Sequence, residues 1–90
     1  MMKSIEFTQF LFPTGKRHTT RIDRPQEIYD KAKQLKDRGF SLEIENKDGQ
    51  IWMSCVNHST DEATDEMCKN DWQVIGAIDR LITEAAKRYL

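Results

Sequence analysis

The pair Asp48-Gly49 constrains this chain more than any other stretch, because it separates two alternating runs, Phe40 to Glu45 and Ile51 to Val56. Asp-Gly between alternating segments is a strong hairpin signal, since Gly accepts the positive φ that tight turns require. In the first run Phe40, Leu42 and Ile44 alternate with Ser41, Glu43 and Glu45, so the apolar set faces the core. A four-residue loop, Asn46 to Gly49, sets Ile44 opposite Ile51, Leu42 opposite Met53 and Phe40 opposite Cys55. A three-residue loop, Lys47 to Gly49, sets Ile44 against Trp52 and Phe40 against Val56. The even loop makes every core pair apolar and is the expected one. It places Trp52 and Val56 on the other face, beside Glu43 and Glu45.

The remaining elements follow from periodicity and caps. Residues 3 to 12 alternate as a strand, with Ile5, Phe7 and Leu11 interleaved with Glu6, Thr8 and Phe10. Pro13-Thr14-Gly15 turns the chain, and Lys16 to Ile22 returns as a polar edge strand. Asp23 is placed to cap a helix with Pro25 in its first turn and Gln26 at the reciprocal position, running to about Arg38. Ile28, Ala32 and Leu35 form its buried stripe with Tyr29 at the margin, and Gly39 ends it. Over residues 57 to 71 the alternation breaks. Ser59 with Glu62 reads as a capping box, so a helical turn over 60 to 68 and a structured loop both stay open. Asp71 caps a final helix from Trp72 to about Tyr89, with Val74, Ile75, Ile78, Leu81, Ile82, Ala85 and Tyr89 as its apolar stripe. Gly76 within it implies close backbone packing.

The order is ββαββα in a single domain spanning 1–90. Helices amphipathic on one side give an α+β, two-layer sandwich: a four-stranded, mainly antiparallel sheet with two helices on one face. The strand order stays open.

Composition narrows the class. No apolar run reaches the roughly 18 residues of a membrane span, so no membrane partner is expected. Glu6 and Gln9 interrupt the opening MMKSIEFTQFLF and no small-residue cleavage site follows, so no secretory signal is expected. Cys55 and Cys68 then read as free thiols in a cytoplasmic protein. The net charge of −1 hides a segregation. Residues 1 to 40 hold nine Lys or Arg against five Asp or Glu, and residues 41 to 71 hold two against eight. Such asymmetry suits an anionic partner, self-association, or solvated charge alone.

With the helices on one face, Phe10, Phe12, Trp52 and Val56 gather on the other, where a protein partner or a homodimer would cover them. The alternative is nucleic acid, held by Lys16, Arg17, Arg21 and Arg24 beside the aromatics through phosphate pairing and base stacking. A pI of about 6.1 runs against that alternative. A remote alternative is zinc on Cys55, His58, Cys68 and His18, although C-x2-H-x9-C matches no standard finger. Asp61, Glu62, Asp65 and Glu66 lack the spacing and Gly of a calcium loop. No phosphate loop, nucleophile elbow or cofactor fingerprint occurs, so a non-enzymatic module without cofactor is expected.

Taken whole, the chain resembles small uncharacterised bacterial and prophage-type α/β proteins. The likeness rests on Phe12-Pro13-Thr14-Gly15, Pro25 opening a helix, Gly39-Phe40 entering a Glu-bearing strand, Asp48-Gly49, and Asn70 ahead of Ile78-Asp79-Arg80-Leu81-Ile82. It spans most of the chain and implies the fold alone.

Overall fold

A computed structural model describes residues 1–11 and 14–90. The elements run β1 (Met2–Leu11), β2 (Lys16–Pro25), α1 (Gln26–Asp37), β3 (Phe40–Lys47), β4 (Gln50–Asn57), β5 (Glu62–Cys68) and α2 (Asp71–Tyr89). The architecture is α+β, a mixed five-stranded sheet in the order β2-β1-β3-β4-β5 with two helices against one face. β1 and β3 pair in parallel, and the other three pairings are antiparallel. The expected ββαββα order with four strands is thus corrected to ββαβββα with five.

The added strand replaces the expected helical turn or loop over 60 to 68. β5 pairs with β4 along Ile51–Asn57, Cys68 opposite Ile51 and Glu62 opposite Asn57. It supplies hydrogen-bond partners to the outer backbone groups of β4, the strand that carries the buried Met53 and Cys55. The Ser59 and Glu62 capping box does not form: the Ser59 amide donates to Asn57 Oδ1 at 3.1 Å instead, and Asp61, at φ 60, turns the chain into β5.

The β3–β4 turn keeps the expected parity with a shorter loop. Lys47 pairs with Gln50, so only Asp48 and Gly49 lie outside the ladder. Both have positive φ, 52 and 76, as a two-residue turn matched to strand twist requires. The register therefore shifts by two from the expectation: Ile44 opposes Met53, Leu42 opposes Cys55, and Phe40 opposes Asn57. A shift of two leaves every side chain on its face.

Other boundaries also move. β2 continues to Pro25 rather than stopping at Ile22, because Pro is tolerated on an edge strand. Asp23 is consequently not a helix cap, and its Oδ1 accepts from Ser4 Oγ at 2.7 Å. Residue Asn70, not Asp71, occupies the N-cap of α2. Gly39 does end α1, with φ 90 and its amide on the Lys36 carbonyl at 3.0 Å, a conformation that favours Gly.

The core lies between helices and sheet, from Ile5 and Phe7 of β1 through Leu35, Phe40, Ile44, Met53 and Cys55 to Cys68, Ile78 and Ile82. A polar latch holds the parallel seam: Thr20 Oγ1 donates to Gln9 Oε1 at 2.8 Å and Gln9 Nε2 to Asn46 Oδ1 at 2.6 Å. Arg24 ties β2 to α2 through two hydrogen bonds to Asp79, which raise the guanidinium pKa further.

Gly76 is not explained by backbone packing. A Cβ there would meet the end of Arg80, at 3.1 Å from Nη1, and Arg80 is an exposed side chain paired with Glu66. That flexible end can give way, while Ala gains about 1 kcal/mol of helix propensity. Gly76→Ala is expected to raise unfolding free energy by about 0.5–1 kcal/mol in urea titration. A loss of stability would show that the Arg80 contact is rigid.

Candidate functional site

The open face of the sheet is set by strand alternation. β1 supplies Glu6, Thr8 and Phe10, β2 Arg17, Thr19 and Arg21, β3 Ser41, Glu43 and Glu45, β4 Trp52, Ser54 and Val56, and β5 Ala63, Asp65 and Met67. Cross-strand pairing arranges these in rows. One runs Arg17, Phe10, Glu45, Trp52, Met67, and the next Thr19, Thr8, Glu43, Ser54, Asp65. Val56 lies opposite Ala63 further along β4.

Phe10, Trp52 and Val56 thus share the face away from the helices, while Phe12 lies outside the described residues. They do not form one continuous apolar patch. Glu45 stands between Phe10 and Trp52, leaving a β1 aromatic on one side and a Trp52–Met67 pair on the other. Trp52 is 36% exposed, a large amount for a strand residue with neighbours on both sides. Met67 joins this group only because β5 is a strand, which the acidic stretch around it did not signal. Trp72 is more exposed still, at 76%, but it stands on the first turn of α2, away from the sheet.

The basic residues separate. The Arg17 guanidinium sits over the Phe10 ring at 5.2 Å, and Arg21 pairs with Glu6 at 2.8 Å, both on the open face. Lys16 and Arg24 lie on the opposite parity of β2, and Arg24 is committed to Asp79. Around Arg17 and Arg21 the face carries Glu6, Asp23, Glu43, Glu45 and Asp65, so its middle is acidic.

The four zinc candidates are not brought together. Cys55 opposes Thr64 and Cys68 opposes Ile51, which puts the thiols about 13 Å apart along the strands. His58 Nε2 is 2.7 Å from Ser41 Oγ, and His18 lies across the sheet on β2, opposite Gln9. Among the described residues no group of three His, Cys, Asp or Glu could hold a metal ion. Burial pushes the Cys55 thiol up to about 11. It also raises Cys68, to which Glu66 adds, so both thiols are poor nucleophiles at neutral pH.

β1 and β3 pair only over Thr8–Leu11 and Glu43–Asn46. Where they part, a cleft of about 480 Å³ opens under α1. Its rim sets Lys33 and Lys36 against Glu6 and Asp37, so charge selects neither anions nor cations. Its floor, including Phe7, Leu35 and Phe40, is already buried by packing.

Comparison with known proteins returned no matching family model, no similar curated protein and no similar solved structure. Among the described residues no helix is long and apolar enough to cross a membrane.

Proposed function

We propose that this chain is a small non-enzymatic protein-interaction or regulatory module that works through its open sheet face, with a second copy as its simplest partner. Trp52 carries the reading: a half-exposed indole beside Met67, on the face the helices leave bare. Tryptophan surrounded by smaller polar groups is the composition of an interface hot spot. Charge supports self-pairing, because the face presents Arg17 toward one edge and Glu43, Glu45 and Asp65 toward its middle and other edge. Two copies therefore offer each other complementary charge. A cytoplasmic setting belongs to the same proposal, since two buried free thiols suit a reducing compartment.

The stacking of Arg17 on Phe10 favours a second reading, the retention of single-stranded nucleic acid by β2. The two readings separate by substitution. Trp52→Ala is expected to weaken self-association by roughly thirtyfold, as loss of a hot-spot indole does, when sedimentation is measured in about 1 M salt, where charge contacts are screened. Arg17→Glu is expected to leave that association unchanged and to remove any retardation of a single-stranded oligonucleotide. Unchanged association in Trp52→Ala would refute the face as the working surface.

A further inference from the structure

The two outer strands of the sheet carry opposite charge. β2 holds Lys16, Arg17, Arg21 and Arg24 against Asp23 alone. β5 holds Glu62, Asp65 and Glu66 with no cation. Each is terminal in the sheet, so each leaves one row of backbone donors and acceptors without a strand partner. Some of the charge is used internally: Arg21 on Glu6, Arg24 on Asp79, Glu66 on Arg80. Among the described residues Lys16, Arg17, Glu62 and Asp65 form no ion pair. These four are exposed.

Charge on an edge strand ordinarily prevents pairing with other chains. That protection works between like edges, and here the edges are unlike. Two β2 edges repel, as do two β5 edges, while β2 of one copy attracts β5 of another.

Strand direction permits the unlike pair. β2 runs against β1, β1 runs with β3, and β4 reverses between β3 and β5. β5 therefore points along β1 and β3, opposite to β2. A head-to-tail repeat of the molecule, keeping every helix layer on the same side, brings β5 beside the next β2 antiparallel, the more stable of the two pairings. Alternation is also consistent: Arg17 and Asp65 both lie on the open face. Setting them opposite each other places Lys16 across from Glu66 and Thr20 across from Glu62.

We propose that copies of this chain associate edge to edge, β2 of one on β5 of the next, extending the sheet head to tail. The contact uses a different surface from the open face around Trp52. Being heterologous, it does not close on itself as a two-fold dimer does, and it adds copies with concentration. Its strength depends on salt, because exposed charges select the pairing.

Sedimentation velocity on the unmodified chain tests this at two ionic strengths, about 10 mM and about 1 M, where the screening length is about 30 Å and about 3 Å. At low salt the weight-average mass should climb with protein concentration past that of two copies, where pairing through the open face stops, and above the value found at high salt. Equal masses at both salts would overturn the proposal. Arg17→Glu and Asp65→Arg should each weaken the low-salt association on the order of tenfold, by turning a cross-strand attraction into repulsion. Combining the two reversals in one chain should restore it. Failure of the double variant to recover the association, or single variants that associate as the unmodified chain does, would likewise overturn it. The salt comparison needs no variant, so it stands even where a substitution unfolds the chain.

Discussion

Phe7→Ala is expected to remove about 3–5 kcal/mol of unfolding free energy, the usual cost of truncating a buried aromatic. Phe7 is 2% exposed, on β1 beneath α1. It also borders the cleft where β1 and β3 part, and the parallel seam is too short to close that gap when the ring is gone. A domain of this length has roughly 5–13 kcal/mol in total. One substitution should therefore take a large share of it. Urea titration measures the difference; a loss below about 1 kcal/mol would show that β1 is not anchored by this ring.

The second large effect is expected in alkali. The Cys55 thiol, 3% exposed on the central strand β4, is raised by burial to about 11, whereas an unfolded thiol ionises near 8.5. Between those values the unfolded chain has released the proton and the folded chain still holds it. The unfolded state then binds fewer protons, so stability falls as pH rises through the window. The full contribution is present below pH of about 8.5, and about 3 kcal/mol is lost by pH of about 11. Lysines and tyrosines titrate there too, so the informative quantity is the difference from Cys55→Ala. That variant is less stable at neutral pH because a side chain is lost from the core. The gap between the two proteins should narrow as pH rises above about 8.5, and a gap independent of pH would show that Cys55 does not stay protonated.

Much of this architecture was legible because it is written in local chemistry. Gly39 stops α1 by a positive φ, Ala32 and Leu35 recur at helical spacing, and Asp48-Gly49 fixes the face of Trp52 through parity. The register slipped by two without harm, because alternation is blind to a shift of that size. β5 was not legible. Of its helix-facing residues Glu62, Thr64, Glu66 and Cys68, only Cys68 is apolar, so the period of two is missing, and the strand shows itself only through its pairing with β4. The same reason hid Met67 beside Trp52. The parallel β1–β3 seam was equally invisible, since its latch joins Gln9 to residues 11 and 37 positions away in sequence. Arg24 shows the limit for charged residues: its neighbours on β2 are solvated, yet its own partner, Asp79, lies on the last helix.

Covering of the open face by a second copy is tested most directly by mass. Size-exclusion chromatography with light scattering in about 1 M salt suppresses the edge contacts and leaves the apolar contribution of Trp52 and Met67. Two copies joined through this face give about twice the 10.6 kDa of one chain. A mass of 10.6 kDa at high protein concentration would contradict it.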